Sequence, residues 1–317
     1  MNNMKIVFLD AATMGDVSFE PISAKGELIC YESSTPQEAL ERVGDCDVLI
    51  VNKVKVTPEL IDAAKNLKLI CESATGINNI DVEYAASKGI PVRNAVGYST
   101  TTVVQATFMH ILSLVGHAPY FDRCVKSGKY SGSGMFTDMS VNWWELAGKT
   151  IGIIGMGNIG SRVAKVAEAF GCRVLAFKRT PDESLNCVSL DTLIRESDVI
   201  SLHTPLNDGT RGLIGERELD IMKKDAILIN VARGAVTDEN AVAEAVLSGK
   251  IGGFATDVYS VEPFGESHPM QRLINCKNVM LTPHMAWGTL EARIKCLDEI
   301  VLNIESFLSG GKRNRVN

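Results

Sequence analysis

TIGIIGMGNIGSRVAKVAEAFGCRVLAFKR, residues 150–179, decides the fold. A short apolar run at 151–154 leads into Gly155, Gly157 and Gly160. Ile159, Val163, Val166, Ala167 and Phe170 then recur at helical spacing, and a second apolar run follows at 174–177. Strand, glycine turn, helix and strand within about 30 residues is the context in which G-x-G-x-x-G reads as a dinucleotide-binding turn, whereas the glycines alone are a weak signal. The three glycines serve different ends. Gly155 permits the tight turn, Gly157 lets the backbone approach a pyrophosphate, and Gly160 lets the helix lie close to the strand. The unpaired N–H groups and the positive dipole end of the helix then face the phosphates. Gly155, Met156, Gly157, Asn158, Ile159 and Gly160 are therefore the candidate cofactor turn.

Downstream, the alternation of strand and helix continues. Strands are expected at 199–203, 226–231, 253–258 and 279–281, which with the first two makes six, the strand count of a full doubly wound dinucleotide fold. Upstream, residues 1–99 alternate strands at 5–9, 28–31, 48–51, 69–71 and 91–93 with helices at 36–43, 58–66 and 82–88. Thr57 before Pro58 is one of the helix-entry signals. That pattern implies a small parallel sheet covered on both faces. The apolar segment 100–115 reads as a buried helix joining the two domains, with His110 a core or interface histidine. Residues 118–149 are expected to be irregular. Their Trp143–Trp144 pair suits either a subunit interface or packing on the same domain. The segment 289–308 is an amphipathic helix that returns to the first domain. The expectation is thus an α/β protein of two Rossmann-like domains. A six-stranded, parallel, doubly wound NAD(P)-binding domain occupies 100–286, and a smaller, discontinuous, flavodoxin-like substrate domain occupies 1–99 and 287–317.

At 317 residues the chain exceeds one ordinary core. Its net charge of −6 and lack of a basic tract argue against a nucleic-acid surface. Eight cysteines, at 30, 46, 71, 124, 172, 187, 276 and 296, form no CxxC pair. They read as free thiols in a reducing compartment rather than as disulfides or metal ligands. No run approaches the roughly 18 apolar residues of a membrane span, so a cytoplasmic protein without an anchor is expected.

Chemistry is expected at strand exits, where such sheets place their ligands. Arg233 follows the fourth strand of the second domain in NVARGAV, Asp257 ends the fifth in GGFATDV, Glu262 follows in VEPF, and His284 ends the last in LTPHMAW. An arginine fork grips a carboxylate and polarises an adjacent carbonyl. A histidine hands a proton to an oxygen as it becomes an alcohol. A glutamate beside it favours the imidazolium, and a nicotinamide would supply the hydride. In the first domain, Asn52 and Lys53 follow the third strand, while SATGINN (73–79) follows the fourth with turn N–H groups around Gly76. Lys53 either binds a carboxylate or is a solvated surface lysine.

The whole chain resembles the D-isomer-specific 2-hydroxyacid dehydrogenases. The motifs that carry the likeness are GMGNIG (155–160), LHTPL (202–206), NVARG (230–234), ATDVY (255–259), VEP (261–263) and TPHMAW (282–287). The resemblance implies that Arg233, Glu262 and His284 form the catalytic trio. It implies that Asp257 helps seat the cofactor near its nicotinamide, with His203, Thr204, Pro205, Val231 and Ala232, together with Arg233 and His284, along its path. Thr75, Gly76 and Ile77, with Asn52 and Lys53, are the implied substrate contacts, and no metal is implied. Family members are mostly dimers, which would give 118–149 a purpose. VNKVKVT, ATGINNID and NAVGYST look most like the glycerate dehydrogenase or hydroxypyruvate reductase branch, acting on a small 2-keto or 2-hydroxy acid. Two other readings stand beside it: a dinucleotide-sensing corepressor, and a 3-phosphoglycerate dehydrogenase. The short stretch after His284 is expected to leave no room for the regulatory domain that many of the latter carry.

One position departs from the NAD pattern. The acid that binds the ribose diol about 20 residues past the glycines is replaced by Lys178, with Arg179 and Thr180 next and no carboxylate before Asp182. Cations and a hydroxyl suit a 2′-phosphate, so NADP is favoured over NAD.

Overall fold

The computed structural model describes residues 4–180 and 185–317, so Asp182 lies outside the described residues. The chain divides into two compact units, Met1–Ser99 with Trp287–Asn317, and Thr100–Ala286.

In the first unit the chain runs β1 (Lys5–Phe8), α1 (Glu20–Ser23), β2 (Glu27–Cys30), α2 (Pro36–Val43), β3 (Val48–Val51), α3 (Pro58–Ala63), β4 (Leu69–Glu72), α4 (Val82–Ser87) and β5 (Val92–Asn94). The strands form one parallel sheet in the order β2-β1-β3-β4-β5, the flavodoxin-like arrangement. Alternate residues serve opposite faces. Ile6, Phe8, Val48, Ile50, Leu69 and Cys71 belong to one core, and Val7, Leu9, Leu49, Val51, Ile70 and Val92 to the other. Helix α2 begins as its sequence dictates: Thr35 and Glu38 form a reciprocal capping box and Pro36 occupies the first turn. Removing the Thr35 hydroxyl would cost about 1 kcal/mol. Helix α3 stops at Ala63, short of the expected 66. Ala64 leaves helical geometry at ψ 79°, and the chain turns there to return Leu67 to the core before β4.

The second unit opens with α5 (Thr100–Val115), which is buried among both β-strand and helix neighbours. It continues through α6 (Ala118–Lys126), α7 (Lys129–Gly132), β6 (Thr150–Ile154), α8 (Asn158–Ala169), β7 (Arg173–Phe177), α9 (Leu190–Glu196), β8 (Val199–Leu202), α10 (Glu216–Asp220), β9 (Ile227–Asn230), α11 (Glu239–Leu247), β10 (Gly253–Thr256) and β11 (Val279–Leu281). The expectation that 118–149 is irregular fails for its first half. Pro119 falls in the first turn of α6, where its missing N–H removes no hydrogen bond, so it starts the helix instead of breaking it.

Six parallel strands form the second sheet in the order β7-β6-β8-β9-β10-β11. The count is the expected one. The order is not that of the 3-2-1-4-5-6 dinucleotide fold, because the third strand, β8, lies on the far side of β6 from β7. The winding direction therefore reverses between β6 and β8, as it does between β1 and β3 of the first sheet, and a switch point of this kind opens a ligand crevice.

The final helix, α12 (Leu290–Leu308), belongs to the first unit. Thr289 caps it by accepting the Ala292 N–H. Ala292, Cys296, Leu297, Ile300 and Ile304 recur along one face and pack in the core of Ile6, Phe8 and Leu69. Each fully buried leucine or isoleucine there contributes about 1.5–3 kcal/mol.

Candidate active site

The glycine turn leaves β6 beside the exits of both neighbouring strands. Gly155 donates its N–H to Phe177 O at 2.9 Å, and His203 donates to Ile154 O at 2.7 Å. Gly155 has φ +99°, and a Cβ there would stand 2.6 Å from His203 O. A Cβ on Gly160 would stand 2.0 Å from Gly155 O, so only glycine lets α8 approach the turn. At Gly157 a Cβ would meet no atom within 4 Å, and α8 starts there without a side-chain cap. His203, on β8's exit, is half-buried with Nε2 2.8 Å from Ser201 Oγ. Burial pushes its imidazole down to about 3.

Arg233, Asp257 and His284 follow β9, β10 and β11, three adjacent strands. Asn230, fully buried at the end of β9, shapes the first exit: its Oδ1 accepts the Ala232 N–H and its Nδ2 donates to Arg233 O. Arg233 is half-buried and donates from Nη1 to Ala232 O at 2.7 Å. Glu262 Oε2 lies 2.6 Å from His284 Nδ1, and Glu262 Oε1 accepts the Tyr259 N–H at 2.8 Å. Both side chains of the pair remain partly open to solvent, at 30% and 25%.

His284 sits in the left-handed region at φ +52°, which costs a non-glycine residue about 1–2 kcal/mol and persists only where neighbours over-determine it. Asp257 supplies that constraint. Its carboxylate is fully buried and accepts the Thr282 hydroxyl at 2.6 Å, the Met285 N–H at 2.9 Å and the Ala286 N–H at 2.8 Å. Three hydrogen bonds from the turn that carries His284 thus fall on Asp257, the residue expected to help seat the cofactor near its nicotinamide. His110, expected as a core histidine with a satisfied ring, is buried and half-satisfied. Its Nε2 lies 3.0 Å from Thr282 Oγ1, and its Nδ1 has no partner. Burial lowers its pKa.

In the first unit, the two expected substrate loops rest on acids to which the sequence alone assigns no role. Asp10, just past β1, accepts the N–H groups of Asn52, Lys53 and Val54 at 2.9, 2.6 and 2.9 Å. Asn79 donates to Val54 O at 3.1 Å and to Glu72 Oε2 at 2.9 Å, tying the 52–54 loop to the 73–79 loop. Asn52, expected to offer its amide to a substrate, is buried and donates from that amide to Thr13 Oγ1 at 3.0 Å. Lys53 and Thr75 are exposed, and Gly76 and Ile77 are half-buried. The strand-exit signal that singles out Arg233 and His284 is present in the first sheet too, at Asp10 in FLDAA and at Glu72 in LICE.

Residues 108–286 match the family model of the D-isomer specific 2-hydroxyacid dehydrogenase NAD binding domain. The chain belongs to the D-isomer-specific 2-hydroxyacid dehydrogenases. It is an NAD(P)-dependent D-2-hydroxyacid dehydrogenase. It is 36% identical to a hydroxypyruvate reductase from Blautia hydrogenotrophica, over 99% of this chain and 100% of the relative. It is 37% identical to a glycerate dehydrogenase from Methylorubrum extorquens, over 98% of each. Among solved structures, an acyclic imino acid reductase in complex with NADPH and D-Arg superposes with a TM-score of 0.87 at 30% identity, covering 99% of this chain and 100% of that one.

The dehydrogenase's glycine turn fits a dinucleotide: Gly157 leaves open space where a side chain would stand, and the uncapped start of α8 offers N–H groups to phosphate. From there to β11 the strand exits follow one sheet edge over four strand spacings, about 19 Å. Past β7, Lys178 is half-buried and Arg179 and Thr180 are exposed. Val231 and Ala232 are buried beside Arg233, while Thr204 and Met156 are half-buried. All eight cysteines are free thiols. Among the described residues, no helix is long and apolar enough to cross a membrane.

Proposed function

We propose that this dehydrogenase reduces a small 2-keto acid of the hydroxypyruvate and glyoxylate type to D-glycerate or glycolate, with NADPH preferred to NADH. The substrate class is supported by the likeness of VNKVKVT, ATGINNID and NAVGYST to the glycerate dehydrogenase branch, and by two relatives that carry those names. The chemistry rests on the 2.6 Å contact between His284 Nδ1 and Glu262 Oε2. With Nδ1 engaged, Nε2 is the ring atom left to hand over a proton.

When bound, a reduced nicotinamide supplies a hydride to carbon 2 of the keto acid. His284 gives its Nε2 proton to the carbonyl oxygen as that oxygen becomes a hydroxyl, and takes it back in the oxidative direction. Glu262, 2.6 Å from Nδ1, orients the ring so that Nε2 faces the substrate oxygen. Arg233 grips the carboxylate and polarises the neighbouring carbonyl. Asp257 acts beneath them by holding the turn of His284. The first unit is the substrate domain in this reading. Lys53 offers a cation and Thr75, Gly76 and Ile77 offer turn N–H groups, while Asn52 serves as scaffold.

The same reading makes the protein a cytoplasmic homodimer. Met135, Phe136, Met139 and Trp143 expose 62%, 89%, 74% and 60% of their surfaces on the 118–149 arm, more than isolated surface residues account for. Sedimentation at micromolar concentration is expected to give a dimer, and a monomer would remove that part.

The test is kcat/KM for hydroxypyruvate, glyoxylate, pyruvate and phenylpyruvate with each cofactor. Hydroxypyruvate or glyoxylate with NADPH is expected to lead. A tenfold preference for NADH, about 1.4 kcal/mol, rejects the cofactor choice. A tenfold preference for phenylpyruvate rejects the substrate class.

A further inference from the structure

Glu239 opens α11, a place where a carboxylate ordinarily faces water, yet its side chain is 8% exposed and lies against a His268 that is 6% exposed. Both oxygens reach Ser260. Oε1 accepts the Ser260 N–H at 2.9 Å, and Oε2 accepts the Ser260 hydroxyl and lies 3.1 Å from His268 Nε2. Ser260 stands two residues before Glu262, in the same short turn. The preceding N–H, of Tyr259, donates to Glu262 Oε1, and the Tyr259 hydroxyl donates to Thr282 O at 2.9 Å, two residues before His284. The Arg233 loop touches this turn as well: a Cβ on Gly234 would stand 2.0 Å from Tyr259 C and 2.2 Å from Ser260 N. One turn therefore abuts the segments that carry Arg233, Glu262 and His284, and Glu239 is its anchor.

We propose that Glu239, backed by His268, is a positioning residue of the dehydrogenase: through Ser260 it fixes the turn that aims Glu262 at His284. The inference rests on the proposed roles of Glu262 and His284. Glu239 touches neither residue and takes no part in the proton transfer. It acts through the backbone that Ser260 shares with Glu262. The charged and titratable groups around this turn include Asp257 at its start, Tyr259 within it, Glu262 and His284 in front, Glu239 and His268 behind, Arg233 on the adjoining loop, and Arg211 and Asp238, which line a cavity with Glu239 and Ser260.

The test compares Glu239→Ala, Glu239→Gln and Ser260→Ala with the parent enzyme, in steady-state kinetics from pH 5.5 to 9.5, with NADPH affinity from fluorescence titration and Tm from calorimetry. In Glu239→Ala, kcat is expected to fall at least tenfold while NADPH affinity stays within twofold. The loss is expected in kcat and not in the KM for the keto acid, which should stay within threefold, because the aligned pair serves proton transfer and not binding. Glu239→Gln retains an acceptor for the Ser260 N–H and is expected to recover most of kcat, and Ser260→Ala is expected to lose two- to fivefold. A merely structural role lowers Tm while kcat stays with the parent's or falls together with NADPH affinity, and either result overturns the proposal. Should Glu239→Ala fail to fold, parent-like kcat in both Ser260→Ala and Glu239→Gln overturns it equally. Glu262→Gln and His284→Gln run beside these variants. If they keep near-full activity, the proposed trio falls and takes this inference with it. If they collapse while the Glu239 and Ser260 variants behave like the parent, the inference alone falls.

Discussion

Asp257 accepts the hydroxyl of Thr282 at 2.6 Å, at the head of the turn that carries His284 at φ +52°. The same carboxylate takes the next two available N–H groups, of Met285 and Ala286. Asp257→Ala removes the acceptor of the buried Ala286 N–H and of the part-buried Met285 N–H and Thr282 hydroxyl, at a cost of about 1–3 kcal/mol for each donor left unpaired. A loss of about 3 kcal/mol overall, or roughly 6–12 °C in Tm at this unit's size, is expected. Released from its anchor, His284 should return to ordinary backbone angles and kcat should fall more than a hundredfold. An Asp257→Ala enzyme with parent Tm and kcat would show that the left-handed turn holds itself.

The three glycines of the cofactor turn make separable predictions, because their surroundings differ. Gly160→Ala forces a Cβ to 2.0 Å from Gly155 O, and the neighbour is backbone that has no room to yield. A destabilisation of about 2 kcal/mol or more, read as a fall in Tm, is expected. Gly157→Ala meets open space at an allowed φ of −79°, so the fold should tolerate it within about 0.5 kcal/mol. Its methyl instead occupies the approach to the start of α8, and the Kd for NADPH should rise at least tenfold. Equal NADPH affinity in the Gly157→Ala enzyme and its parent would place the pyrophosphate elsewhere.

How much of the molecule is legible in its sequence differs from element to element, for physical reasons. Helix α2 is readable to the residue because Thr35, Pro36 and Glu38 spell out its start, and α5 is readable from its length and continuous apolarity. The strands are readable because parallel sheets buried on both faces give unbroken apolar runs, as in Val48–Val51. Strand order is not readable. Periodicity tells which face a residue serves and not which neighbour its strand has, so only the structure places β8 beside β6. Arg233, Glu262 and His284 stand out as charges at strand exits. Asp10 and Glu72 sit at equivalent exits and escape notice, because each reads as an isolated acid without the loops whose N–H groups and amides it holds.

Glu72 makes a pH prediction. Burial first, and then the charge of Asp10, push its carboxyl well above the ordinary 4.5, with the Asn79 hydrogen bond acting the other way. The folded state thus holds the proton more tightly than the unfolded one. The stability this group contributes is complete below about pH 4.5 and is lost as pH rises through the folded value. Glu72→Gln keeps the shape and removes the ionisation. From pH 5 upward the parent's Tm should fall relative to that of the variant, and the gap should widen with pH. Parallel Tm curves across pH 5–9 would mean that Glu72 ionises in place without penalty.

The last prediction concerns the cation beside the residue that replaces the diol-binding acid. Arg179 is exposed just past β7, next to Lys178, which stands where an NAD enzyme's carboxylate would reach the ribose. If the pair recognises a 2′-phosphate, Arg179→Ala should raise the KM for NADPH by roughly tenfold, the worth of one charge-assisted contact of about 1.4 kcal/mol. It should leave the KM for NADH within twofold, since no group on NADH faces the lost guanidinium. The KM for NADPH should also rise with salt in the parent more steeply than in the variant, because an exposed phosphate–guanidinium contact is screened over about 8–10 Å at physiological ionic strength. A substitution that weakens both cofactors alike would instead assign Arg179 to general loop structure. A substitution without effect on either would leave the 2′-phosphate to other residues and remove the reason for preferring NADPH.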